Sequence, residues 1–353
     1  MIKIKLGTLV MLAASTFLVS CKDDKNSNGM YSNGVFIDNE GAYGNGNASV
    51  SFIDNSSKTV YNDIFNTVNK RPLGDVLQST YIWGENIYMV MNASGKVEVA
   101  NKESFEQAGV IEGLNQPRSI TSSSNKLYIS QWGDNGVLKI ADPITLKTTG
   151  VIKVGNGPEA VLNNKNMVWV ANGGGFGLDS TISVIDPSQD KVIKTITVGY
   201  NPKEMVADVN GNVWVLCYGY IKYDANWNIV KETESSLVKI DASTYIVSSK
   251  LPIAIDKHPS HIDVSNDKQT IYYGGGYGFS GIYAVKILNS SIPASPFIEG
   301  SFYGFNVNPS NGDIYACEAT TFTEAGNVKQ FNSTGVFIKS YKVGIGPNGA
   351  IFN

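Results

Sequence analysis

The sequence predicts an all-β fold, a seven-bladed β-propeller of four-stranded antiparallel blades, and three observations carry that prediction. A proline recurs at the entry to an apolar stretch at Pro72, Pro117, Pro158, Pro202, Pro259 and Pro347. The intervals are 45, 41, 44, 57 and 88 residues, the last being twice 44, so one proline is missing near Tyr303. A period of 40 to 45 residues is that of one four-stranded propeller blade. Each period also repeats the same strand signals, and the two ends of the chain complement one another.

The unit after Pro158 shows the pattern. Ala160-Val161-Leu162 meets the turn Asn163-Asn164-Lys165-Asn166; Val168-Trp169-Val170-Ala171, Thr181–Asp186 and Lys194–Val198 follow. β-Branched and aromatic runs bounded by turn formers read as strands. The second strand recurs at 127–130, 213–216 and 314–317, and the third at 137–142 and 237–241. No stretch sustains a helical period. The N-terminal unit supplies strands at 34–38, 49–54 and 59–65 and lacks a first strand, whereas the tail after Pro347 is a lone strand. Pairing the two closes the ring at seven blades and removes the free edges. Six or eight blades remain open if one unit is misread.

Residues 1–20 precede the fold. Lys3 and Lys5 lead an apolar run from Leu6 to Val19 that ends in Leu18-Val19-Ser20-Cys21. This resembles a bacterial lipobox, which implies a signal peptide over 1–20 and lipidation of Cys21. Lys22-Asp23-Asp24-Lys25 resembles an export signal for the outer face of the outer membrane. Residues 21–33 read as a lipidated, flexible tether and 34–353 as the propeller.

The formal charge is −3, and the signal segment contributes two lysines and no acid. No basic stripe appears, which argues against a nucleic-acid partner. Cys217 and Cys317 fall in the fifth and seventh units, which are not neighbours, so both are expected as free core residues.

Loops joining strands two and three, and those joining consecutive blades, emerge on one face. There they are long, Gly-rich and aromatic; the turns on the other face are short and polar. Rings that need not fill a core suggest a recognition surface. The expected ligand-binding residues are Tyr43, Arg71, Arg118, Trp132, Asn172, Phe176, Tyr218, Tyr220, Tyr277, Phe279 and Phe322. Asp75, Asn115, Glu159, Asn201, Lys203 and His258 converge on the same face, some as ordinary solvated groups. The bland alternative is that individual rings pack beneath their own loops.

Catalytic signals are weak. Gly276-Tyr277-Gly278-Phe279-Ser280-Gly281 satisfies G-x-G-x-x-G, but a strand follows where a dinucleotide site needs a helix. His258 and His261 lack companions at metal-ligand spacing, and Asp134 and Asp179 match no calcium loop. An enzyme would require a polar pocket centred on histidine or carboxylates, which the sequence does not display. The chain is therefore expected to be no enzyme, with no cofactor and no catalytic or metal site.

Val184-Ile185-Asp186, Thr195-Ile196-Thr197-Val198-Gly199 and Pro202 resemble YVTN-type, YncE-like propeller repeats. Residues 36–41 and 71–76 are similar to the BtuG-type surface lipoproteins, and the likeness spans nearly the whole mature chain. That resemblance implies an outer-membrane, exterior-facing lipoprotein. It would capture a bulky molecule, cobalamin or a related corrinoid, as cargo for a TonB-dependent outer-membrane transporter. A siderophore, haem or a protein-only interaction are the alternative cargoes and roles, and a lyase-like enzyme is a further one.

Overall fold

The structure is a computed structural model that describes residues 29–134, 136–276, 278–289 and 291–353. Among these residues it shows seven four-stranded antiparallel sheets. Blade 1 joins the C-terminal strand Pro347–Phe352 to Gly34–Asn39, Ser49–Asp54 and Val60–Tyr61. Blades 2 to 7 follow at 77–111, 117–153, 158–197, 202–254, 261–301 and 304–345. The first strand of each lies innermost and touches its neighbours around the ring, with Pro347–Phe352 meeting Leu77–Trp83. Val35 pairs with Phe352 and Ile37 with Ala350, which is the closure expected from the two ends.

The core is divided into seven clusters, one in each seam between adjacent blades. Alternation along a strand sends successive side chains to opposite faces. In blade 2, Ile87, Met89 and Met91 enter the seam with blade 1, while Tyr88 and Val90 enter the seam with blade 3. Both faces are covered, so the second strands read as continuous apolar runs. Cys217 and Cys317 are free and buried in different seams, and burial pushes the Cys217 thiol up to about 12.

Prolines 117, 158, 202 and 347 open innermost strands. In blade 7 the equivalent place is Gly304, which pairs with Cys317 as Pro202 pairs with Cys217. A Cβ at Gly304 would stand 1.9 Å from the Asn348 carbonyl oxygen, which explains the missing proline.

Two local expectations need correction, and one loop carries structure of its own. Residues 64–65, read as the end of a strand, begin a short helix, Ile64–Asn69. The strand stops at Tyr61, and Asp63 turns the chain through a left-handed conformation at φ 50°. That turn delivers Ile64 and Phe65 into the seam between blades 1 and 2. The tether also ends earlier than expected: Tyr31 is only 3% exposed, edge-on to Phe52 at 5.2 Å and Phe105 at 5.8 Å. Its amide donates to the Glu103 carbonyl at 2.9 Å, so the chain already belongs to the core there. Finally, the long loop of blade 5 holds its own hairpin, Ile221–Tyr223 with Ile229–Glu232. Cys21 lies outside the described residues, among which no helix is long and apolar enough to cross a membrane.

Tyr31→Ala is expected to cost about 3 kcal/mol, the scale of deleting a buried aromatic ring. Urea unfolding measured by near-ultraviolet circular dichroism checks this; a midpoint shift within error would return Tyr31 to the tether.

Candidate functional site

The loop-bearing end of the ring opens on a cavity of about 660 Å³ between the innermost strands. Its wall is polar because five innermost strands carry a register shift at that end. The shifts fall between Leu77 and Ser79, Pro117 and Ser119, Pro158 and Val161, Pro202 and Glu204, and opposite Asp38 and Asn39. A β-bulge inserts an unpaired residue and re-aims its side chain. Gln78, Arg118, Glu159, Lys203 and Asn348 stand at these places, and all five line the cavity.

Four of them form a chain of bonds across four blades. Arg118 donates through Nη1 to Gln78 Oε1, and through Nε to Glu159 Oε2 at 2.6 Å. Lys203 Nζ donates to Glu159 Oε1 at 2.8 Å. Burial raises the Glu159 carboxyl, but Arg118 and then Lys203 outweigh it and hold it down at about 2. The Trp132 ring lies under the Arg118 guanidinium at 4.1 Å and so orients that side chain.

The opposite wall carries a second group. His261 Nδ1 lies 3.1 Å from Glu204 Oε1, and the Ile262 amide donates to Glu204 Oε2 at 3.0 Å. Burial lowers the imidazole, yet Glu204, Glu40 and Asp263 together leave it above its ordinary value. Glu40 accepts from the Tyr303 hydroxyl; burial raises both groups. Deeper, burial lifts Asp38 to about 7 against a hydrogen bond from Thr80, and Asp263 to about 6 against the amides of Val307 and Val264. Asp38 belongs to a second strand and reaches the axis because Gly349 pairs opposite it without a side chain.

Of the residues expected from sequence, Arg118 and Tyr218 line the cavity. Trp132 sits behind Arg118, with Phe176 edge-on at 5.3 Å and 83% exposed. Phe322 packs on Tyr303 at 5.2 Å, beside the cavity wall. Tyr43 is 81% exposed on the blade 1 loop, and Tyr220 meets Tyr200 at 6.2 Å. Three others are held in the structure. Arg71 binds Glu98 and covers Phe65 at 4.8 Å; Phe279 is buried with Tyr273 and Tyr283. Asn172 is fully buried, accepting from Gly155 N and donating to Thr181 and Ser183. Tyr277 lies outside the described residues. His258 and His261 diverge: His258 bonds the Tyr218 carbonyl and Glu232, away from the cavity wall. The residues missed were Asp38, Glu40, Gln78, Glu204, His261, Tyr303 and Asn348. Of these, only Asn348 had an available signal, the position directly after an entry proline that it shares with Arg118, Glu159 and Lys203.

The family described as "Domain of unknown function (DUF5074)" matches residues 33–353. No curated protein matches the sequence. Among solved structures, a quinonprotein alcohol dehydrogenase-like protein from Bacteroides thetaiotaomicron is 16% identical. It covers 93% of this chain and 79% of its own, with a TM-score of 0.67. A putative 6-phosphogluconolactonase from Bacteroides fragilis is 12% identical over 92% and 99%, TM-score 0.65. The periplasmic gluconolactonase of Pseudomonas aeruginosa is 11% identical over 90% and 99%, TM-score 0.64. These likenesses concern the fold. The expectation of no enzyme is nevertheless corrected. It rested on the lack of a histidine- or carboxylate-centred polar pocket, and the cavity is one; propellers titled as lactonases share the architecture. The signal was missed because its members come from seven different blades.

Two substitutions test these electrostatics. Glu159→Gln leaves Arg118 and Lys203 without their shared carboxylate and is expected to cost about 3 kcal/mol. Because the folded value lies below the unfolded one, this contribution is present above about pH 4.5 and lost as pH falls toward 2. Asp38 has the opposite sign: its raised value makes the fold lose stability as pH climbs from about 4 to 7. Asp38→Asn is expected to raise the melting temperature at pH 8 and leave it unchanged at pH 4. Thermal unfolding across pH decides both; a pH-independent Asp38→Asn effect would refute the second.

Proposed function

We propose, from the premise that the chain belongs to the DUF5074 family, that this propeller captures a bulky polar small molecule over its central cavity. The cargo proposed is cobalamin or a related corrinoid. The protein would hold it at the outer membrane, anchored through lipidated Cys21 and facing outward, and pass it to a TonB-dependent transporter.

The observation that supports capture is the bulge-directed ring of polar side chains around an open cavity, fixed before any ligand arrives. Binding costs less when the contacting groups are already ordered. The charge pattern favours one cargo chemistry over another. Arg118 and Lys203 share Glu159, and His261 is held by Glu204, so each cation on the wall already has a carboxylate partner. Glu40 and Asp38 add acid. A haem propionate or a carboxylate siderophore would meet no free cation there, whereas a neutral amide periphery suits Gln78, Asn201, Asn306 and Asn348. Asn201 Oδ1 is a buried acceptor without a partner, an unmet demand that an amide donor would fill after a small rotation. Tyr218 on the wall and Tyr43 on the rim would cover apolar surface.

Calorimetric titration of the full-length protein with cyanocobalamin tests the reading, with haemin as the anionic comparison. Saturable 1:1 binding is expected for the corrinoid alone. Arg118→Ala and Tyr218→Ala should each weaken it at least about tenfold. Trp132→Ala should weaken it less, through Arg118. Haemin binding as tightly as the corrinoid, or affinity unchanged in both wall variants, rules out this site.

A further inference from the structure

We propose that the same cavity hydrolyses small uncharged carboxylic esters, with His261 as general base and Glu204 as the residue that positions it. This stands on the Glu204–His261 pair and not on the identity of any captured cargo.

Glu204 is fixed at one oxygen by the Ile262 amide, and its other oxygen lies 3.1 Å from His261 Nδ1. A carboxylate on Nδ1 fixes the tautomer whose Nε2 is free to accept a proton. Nε2 has no protein partner among the described residues, and His261, its side chain 23% exposed, lines the cavity. The other imidazole cannot serve, because Glu232 and the Tyr218 carbonyl occupy both its nitrogens.

A donor for a developing oxyanion shares the space, and it is not Tyr303, whose hydroxyl proton is already given to Glu40; Glu40 in turn lies close enough to feel both Arg118 and His261. Three of the five guanidinium N–H groups of Arg118 are committed to Gln78 and Glu159, which leaves two. Ser260 also lines the wall but makes no hydrogen bond to His261, so water is the nucleophile. In the step, His261 Nε2 takes a proton from water as its oxygen bonds to the acyl carbon. The carbonyl pair moves onto its oxygen; collapse breaks the acyl C–O bond, and the imidazolium protonates the departing alkoxide. The products are an acid and an alcohol, with no other reactant. The substrate is uncharged because the cations of the wall are already paired.

The groups facing the imidazole set the pH dependence. Glu204 comes from blade 5, Glu40 from the blade 1 loop, Asp263 from the same strand, and Phe305 of blade 7 meets the ring at 6.5 Å. The three carboxylates hold the proton on, so the rate should rise with pH through a midpoint above the ordinary imidazole value.

The test uses full-length protein with 4-nitrophenyl acetate and δ-valerolactone, followed spectrophotometrically and by pH-stat from about pH 5 to 9. Wild type is expected to exceed buffer, His261→Asn to lose about 100-fold or more, and added imidazole to restore His261→Gly. Glu204→Gln should move the pH midpoint down, which a purely structural role would not do. Melting curves confirm that the variants fold. Cyanocobalamin titration of His261→Asn reads capture separately, so loss of turnover with binding intact leaves the capture reading untouched. No turnover by folded wild type, or equal rates in wild type and His261→Asn, overturns the proposal.

Discussion

Everything in this molecule depends on the pairing of Pro347–Phe352 with Gly34–Asn39. Seven blades can share seven seams only if the ring is closed, and each seam holds one of the seven clusters. Without that pairing, Val35, Ile37, Tyr315 and Ala350 would lose their common seam, and blade 1 would keep only three strands. Closure also completes the site, because Asn348 and Gly349 sit on the closing strand and Asp38 and Glu40 on or beside its partner. One pairing therefore serves both stability and chemistry.

A second constraint turns a structural ring into a site. A regular innermost strand would point alternate residues down the axis and into the seams. The bulge adds one residue at the open end and sets it outside that alternation. Blades 6 and 7 keep regular pairing there, His261 with Gly274 and Gly304 with Cys317. His261 thus reaches the cavity from a ladder position, held by Glu204 of the preceding blade, whereas Arg118 and Glu159 reach it from bulges. The wall consequently has two halves: a cross-linked Gln–Arg–Glu–Lys arc, and an arc where imidazole, phenol and carboxylates meet with fewer mutual bonds.

The architecture was legible because its signals are local and repeated. Entry prolines, apolar second strands and complementary ends each follow from one blade's geometry, and seven copies average out errors. The site was legible only in part, for the opposite reason. Rings in Gly-rich loops mark a face but not a direction: Phe279 turns inward onto Tyr283, while Phe176 stays in solvent. Asn172 reads as a loop-end recognition residue yet bonds within its own blade, as Asn39 does with Ser49 and Ser51. Helix 64–69 escaped notice because six residues are too few to show a period. The His261–Glu204 pair joins residues 57 positions apart on different blades, and no spacing rule anticipates such a contact.

The arrangement of charge is the link between capture and chemistry. A buried cation shared by a carboxylate is a poor anchor for a second anion, since the newcomer would have to displace an existing partner. On one arc, Arg118, Lys203 and Glu159 therefore act as a rigid polar surface rather than as an anion trap. On the other arc, the acids outnumber the cation, and their burial is tolerated by raising their own proton affinities, Asp38 to about 7 and Asp263 to about 6. Glu204, Glu40 and Asp263 raise the proton affinity of His261. A cavity built this way admits neutral molecules readily and holds protons near neutrality, conditions that suit both a neutral amide-rich cargo and proton transfer to an uncharged ester.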